Sequence, residues 1–280
     1  MMRERYIEHF KPLVAKFKAD VSDLCLTKKL ELKEGMPGLA LPLFGESYEG
    51  SKTKILFVGI DDANTLVDLK GYIDKSPEDS LDLALERFDP KKMINEGGKK
   101  KLSFWRFVKN FMALLYKKDE KDIIDDHEIV NSFGWSNVFP IIEYKRCKKK
   151  LESGDVKKED WDKICEAGNN IFYGFKHLRE TLRPRIVILT YKDCKIKPYL
   201  KGYRECKDCE DYMNCQGRKD CIEIVKEDLN ENLRKDLKHY KLRDQQGDID
   251  VFHTPHPRSS KMGRDLVNKL SELVKNCGSF

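Results

Sequence analysis

Four cysteines crowd into sixteen residues: Cys206, Cys209, Cys215 and Cys221, spaced C-x2-C-x5-C-x5-C. The segment between them is polar and rich in Lys and Asp, so burial in a core does not explain them. Thiolates in such a loop are expected to be metal ligands, the alternative being four reduced cysteines with no metal. Four of them suit either tetrahedral zinc or an iron–sulfur cluster. Zinc sites usually carry two C-x2-C knuckles and this stretch has one, so both metals stay open, with Cys194 as a spare ligand. The metal would fold a segment that has no core of its own.

A second set of reactive groups is scattered through the chain. Gly59-Ile60-Asp61-Asp62-Ala63-Asn64 follows an apolar run, Asn137 stands in Trp135-Ser136-Asn137-Val138-Phe139-Pro140, and His256 lies within His253-Thr254-Pro255-His256-Pro257-Arg258-Ser259-Ser260-Lys261. A carboxylate, an amide and an imidazole are polar groups of three different chemistries that a binding or catalytic rim could use. Each also has a plainer use. Asp61 or Asp62 serves equally as a helix cap, and Asn137 equally satisfies a loop backbone. His256 is flanked by two prolines, which fix the backbone around it but add little packing. His253 reads as structural, and Phe44 and Tyr48 read as core before they read as stacking platforms.

The elements that would carry these groups follow from periodicity. Residues 54–59 and 185–190 are short, continuous apolar runs, the pattern of strands buried on both faces; residues 134–142 and 250–254 complete a set of four. Helical stripes are expected over 3–24, 104–116 (capped by Ser103), 161–178, 222–239 and 265–275. Residues 71–101 look irregular, with weak helical potential over 81–88. Strands alternating with helices predict an α/β fold: three layers, α/β/α, around a short and mainly four-stranded parallel sheet. Such sheets place ligands at the carboxyl ends of their strands, where Asp61, Asn137 and His256 all fall.

In this order the motifs resemble those of the uracil-DNA glycosylase superfamily: Gly59/Asp61 after the first strand, Asn137 ending the second, and His256-Pro257-Arg258-Ser259 after the last. Asp62 stands where that family has a Pro, and Arg258 where it has a Ser. The resemblance covers residues 54–275 and implies one glycosylase-like domain over 1–280, with a cysteine-rich metal-binding insertion at 194–221. It implies a DNA repair enzyme that flips out uracil or a related damaged base and hydrolyses its N-glycosidic bond. Asp61 and His256 would be catalytic. Gly59, Ile60, Asp62, Asn64, Asn137 and Phe139 would bind the base, and Arg258, Ser259, Ser260 and Lys261 would grip DNA. Some branches of that superfamily carry a 4Fe–4S cluster, built from cysteines elsewhere in the chain. The competing expectations are a catalytically silent nucleic-acid-binding protein on the same scaffold and a nucleotide or small-molecule hydrolase.

Composition sets the outer bounds. The chain has 280 residues, 40% hydrophobic and 36% charged, with a net charge of +6. That excess permits a polyanionic partner, single-stranded DNA or damaged duplex, without the field of a histone-like protein. Basic residues gather at 99–101, 146–150 and 195–204. No window approaches the roughly 20 apolar residues of a spanning helix, and the amino terminus lacks the apolar core of a secretory signal. The expectation is a cytoplasmic monomer with no membrane partner. P-loop and dinucleotide-type glycine patterns are absent from the sequence, which weighs against nucleoside triphosphates and NAD.

Overall fold

A computed structural model describes residues 1–59, 67–98, 104–152, 156–190, 204–205, 221–227, 237–244, 246–257 and 262–277. In chain order these form α1 (Met2–Lys28), β1 (Leu43–Phe44), β2 (Ile55–Gly59), α2 (Leu69–Asp74), α3 (Pro77–Arg87), α4 (Pro90–Gly98), α5 (Phe104–Tyr116), α6 (Glu120–Asp125) and α7 (His127–Val130). There follow β3 (Phe133–Asn137), α8 (Tyr144–Glu152), α9 (Lys158–Phe172), α10 (Phe175–Thr181), β4 (Ile186–Leu189), β5 (Arg204–Glu205), β6 (Cys221–Glu227), β7 (Lys238–Asp244), β8 (Gly247–His253) and α11 (Arg264–Cys277). The fold is mixed α/β. Its strands lie in the order β1-β3-β2-β4-β8-β7-β6-β5. No helix among the described residues is long and apolar enough to cross a membrane. The chain divides into two compact units: Met1–Leu43, Ile60–Phe88 and Ser136–Tyr173 in the first, and Phe44–Gly59, Asp89–Trp135 and Gly174–Phe280 in the second.

In the first unit α1 buries Met2, Tyr6, Phe10, Val14, Phe17 and Val21, a stripe stepping by three or four residues. Pro12 lies on the exposed side, and the helix runs through it. The stripe meets α9 through the rings of Phe10 and Phe17, whose centroids are 6.4 and 5.9 Å from that of Phe172. Outside the stripe, Arg3 donates to Asp82 at 2.9 Å and Lys11 to Glu78 at 2.5 Å, both on α3. Residues 71–98 are more regular than their polarity suggests, with most of them in α2, α3 and α4. Asp68 caps α2 by accepting from the Gly71 N–H at 2.7 Å, and its other oxygen accepts from the Gly35 N–H at 2.9 Å. Ser76 caps α3, with Pro77 in the first helical position.

The second unit is built on parallel pairing. Ile55 to Val58 of β2 align with Ile186 to Leu189 of β4, and these align with Asp250 to His253 of β8. Every residue of β2 and β4 is buried. Burying each such Val, Leu, Ile or Phe side chain contributes about 1.5–3 kcal/mol. Helix α5 covers β2. Phe57 meets Phe107, Phe111 and Phe133 edge-on, with centroids 6.2, 5.6 and 5.5 Å away.

Several expectations are corrected. The sheet is mixed rather than mainly four-stranded and parallel: β7 pairs antiparallel with β8, and β6 antiparallel with β7. The helix expected over 222–239 is not continuous: Cys221–Glu227 and Lys238–Asp244 are strands, and residues 228–236 lie outside the described residues. Of the stretch 134–142, the strand takes the residues to Asn137, where the motif order expects it to end, and the Pro140 loop follows. The stripe over 161–178 spans two helices, broken at Gly174, whose φ of 122° suits glycine alone. Ser103, the expected cap of α5, lies outside the described residues.

Candidate functional site

The carboxyl ends of β2, β4 and β8 form a common rim. The Thr190 N–H donates to the Val58 carbonyl at 2.8 Å, and the Thr254 N–H to the Leu189 carbonyl at 2.8 Å, so the parallel ladder runs on past each strand end. Thr190 and Thr254 are buried. Among the described residues, Gly59, Thr190 and Thr254 are thus the last in the ladder at this end of the three strands.

Gly59 is needed here for packing. A Cβ at this position would lie 2.6 Å from a ring carbon of Phe104 and 3.2 Å from Oγ1 of Thr190. Helix α5 therefore starts hard against the end of β2, and Gly59 belongs to the wall of the core. His256 follows Thr254 by two residues. Pro255 and Pro257 on either side of it are buried while the imidazole is half-buried, so its backbone is anchored and its ring is reachable. His253 sits in the ladder opposite Leu189 and Lys238, as suits a structural residue.

Asn137 and Phe139 belong to the first unit. Asn137 is the last residue of β3 and half-buried; its carbonyl accepts from the Ser136 hydroxyl at 3.3 Å. Phe139 stacks on Tyr173 with centroids 6.1 Å apart and planes at 22°. Tyr48 is fully buried and donates to the Lys54 carbonyl at 3.4 Å, and Phe44 packs beside it. Tyr48 is a core residue, as expected, whereas Phe44 is half-buried. Ile60, Asp61, Asp62, Asn64, Arg258, Ser259, Ser260 and Lys261 lie outside the described residues.

Of the four clustered cysteines, Cys206, Cys209 and Cys215 also lie outside them, as does Cys194. Cys221 opens β6. The short strand β5 pairs with β6 in parallel, with Arg204 opposite Cys221 and Glu205 opposite Ile222. The chain therefore enters the cysteine stretch and returns from it on adjacent strands, which lie roughly 4.8 Å apart in a sheet.

Two polar constellations escape the sequence reading. Arg179 of α10 pairs with Asp244 of β7, and His239 of β7 pairs with Asp250 of β8. Their available signal was the turn Gln245-Gln246-Gly247 between Leu242 and Ile249, which marks a hairpin. In the first unit Cys147 and Cys165 direct their thiols at the Ile142 carbonyl, at 3.8 and 3.5 Å, where the Trp161 indole also donates at 2.8 Å. Burial pushes the Cys165 thiol up to about 12. Compared with protein-family models, curated proteins and solved structures, the chain matches none.

Proposed function

We propose that the protein is a DNA glycosylase-like hydrolase that takes a flipped-out uracil or related damaged base at the rim of its parallel strands. One observation carries the reading: β2 and β8 flank β4 in register, so Gly59 and the Thr254-Pro255-His256 segment leave the sheet on one edge. Ligands of open α/β sheets collect at such edges. The three-layer α/β/α arrangement of the uracil-DNA glycosylase superfamily is part of the proposal.

The chemistry is hydrolysis of the bond between the sugar C1′ and the base nitrogen. That bond lengthens into an oxocarbenium-like state while negative charge spreads onto the leaving base. His256 donates a hydrogen bond to a base oxygen and stabilises that charge more in the transition state than in the ground state. Asp61 holds the water that adds to C1′, and the departing base takes up the proton. In this reading Asn137 reads the base edge through its amide, and Gly59, Ile60, Asp62, Asn64 and Phe139 are the other base-binding residues. Arg258, Ser259, Ser260 and Lys261 contact phosphates of the opened strand. The four-cysteine loop holds zinc or a 4Fe–4S cluster that folds it, and Lys195, Lys197, Lys201, Arg204, Arg218 and Lys219 extend the phosphate-binding surface.

The test is incubation with uracil-containing single and double strands, followed by alkali. The reading expects strand scission at the abasic site and a loss of at least a hundredfold in His256→Ala, the scale of one lost charge-stabilising donor. Salt-sensitive DNA binding without scission would assign the catalytically silent binding protein instead. Neither binding nor scission would leave the small-molecule hydrolase. A brown solution marks the iron–sulfur cluster, and a colourless protein with stoichiometric zinc marks the other metal.

A further inference from the structure

The β7/β8 hairpin and the end of α11 bring together an imidazole, a carboxylate and a thiol. His239 lies opposite Phe252, and Lys241 opposite Asp250. Side chains alternate along a strand, so His239 and Asp250 share one face of the sheet on a diagonal. The His239 Nε2 is 2.7 Å from an Asp250 oxygen. The imidazole also lies flat on Phe252, with centroids 4.5 Å apart and planes at 6°. Strand register, stacking and hydrogen bond therefore fix both groups. They are largely withdrawn from water, with side-chain exposures of 5% and 16%. Cys277, the last residue of α11, supplies an exposed thiol, and one ligating atom from each of the three residues lies within 4.8 Å of the others.

We propose that His239, Asp250 and Cys277 bind a divalent transition-metal ion, zinc foremost, with a fourth coordination position open to solvent. The donor set selects the metal. Imidazole and thiolate suit zinc, whereas magnesium and calcium require oxygen ligands throughout. Zinc bonds of about 2.0–2.3 Å place tetrahedral ligand atoms roughly 3.3–3.8 Å apart. The described positions reach that spacing if Cys277 swings inward and the His239–Asp250 pair opens by about half an ångström. Cys277 is the exposed member at a helix end, so it is the ligand with room to move. The carboxyl end of α11 adds the negative end of the helix dipole, which favours a cation. Three protein ligands and an open position make a site that can hold water or an incoming anion. It uses none of the four clustered cysteines and is independent of the glycosylase reading.

The test counts metal on the full chain. Wild type, Cys277→Ser, Asp250→Asn and His239→Gln are equilibrated with excess zinc, cleared of free metal and weighed by native mass spectrometry. Any metal in the cysteine loop is common to all four. Wild type should carry one zinc more than Cys277→Ser, and Asp250→Asn should raise the Kd for that zinc at least tenfold. Substituting cobalt should give wild type a thiolate charge-transfer band that Cys277→Ser lacks. Cys277→Ser alters an exposed residue, so a thermal melt matching wild type shows that it is folded. Equal zinc counts in wild type and folded Cys277→Ser overturn the proposal, whatever His239→Gln does.

Discussion

Arg179 and Asp244 meet in a bidentate ion pair, Nε and Nη2 each 2.8 Å from a carboxylate oxygen, with side chains only 3% and 6% exposed. The guanidinium also donates to the Pro184 carbonyl at 3.2 Å and the Gly247 carbonyl at 3.0 Å, while the carboxylate accepts from the Gln246 N–H at 2.7 Å. One cation thus ties α10, the entry to β4 and the β7/β8 turn. Burying a charge is costly, and taking away its partner leaves that cost uncompensated. Arg179→Ala should cost roughly 3–5 kcal/mol in urea unfolding, and Arg179→Met with Asp244→Leu together much less than twice that. A single-variant loss below about 1 kcal/mol would mean that the pair is solvated.

Gly59→Ala tests the packing at the rim without touching a charge. The new methyl would press on the Phe104 ring at 2.6 Å. Overpacking of this kind costs about 1–3 kcal/mol. Phe104→Leu should cost stability alone yet recover part of the loss when combined with Gly59→Ala. Additive losses in the double variant would show that the methyl meets some other obstacle.

The same region shows what the sequence could and could not reveal. Strands β2 and β4 read clearly because burial on both faces leaves unbroken apolar runs, and α5 because its apolar residues keep a helical period. Strand β7, Lys-His-Tyr-Lys-Leu-Arg-Asp, hid because its buried residues, His239 on one face and Leu242 and Asp244 on the other, follow no period of two and two of them are polar. Such a strand looks like a solvated helix until a partner strand is known. The helical stripe over 161–178 concealed a break because both helices bury the same kind of residue on either side of Gly174. His256 was legible as a rim residue because strand order alone predicts which ends face a ligand. The trio of His239, Asp250 and Cys277 was not, because β-register and a helix end join residues that share no local motif.

Cys147 and Cys165 should be chemically quiet. Burial, followed by the neighbouring Cys147, raises the Cys165 thiol to about 12, and Cys147 is itself buried. The thiolate is the nucleophile, so at pH 8 a thiol of this kind stays neutral and unreactive. Peptide mapping after iodoacetamide at pH 8 should find both cysteines unmodified in folded protein and alkylated in denaturant. The unfolded thiols ionise near pH 8.5, so the raised folded value makes stability fall as pH rises above that point toward 12. Rapid labelling of Cys165 in the folded state would refute the burial argument.

Asp126 should carry part of the acid sensitivity of the second unit. Its carboxylate accepts from Lys118 at 2.6 Å and from the Ile129 N–H at 3.0 Å, capping α7. The Lys118 hydrogen bond first, and the backbone donor second, hold this carboxyl below its ordinary range. A lowered folded value stabilises the native state above the unfolded carboxyl's pKa of about 3.9. That contribution is lost as pH falls through the lower, folded value. Asp126→Asn keeps a capping oxygen and removes the charge, so it should cost under about 1 kcal/mol at pH 7, the scale of an exposed ion pair. The gap in urea midpoint between wild type and Asp126→Asn should shrink steadily below about pH 4 and close in stronger acid. A gap that stays constant down to the acid transition would show that the cap alone, and not the charge, is what α7 requires.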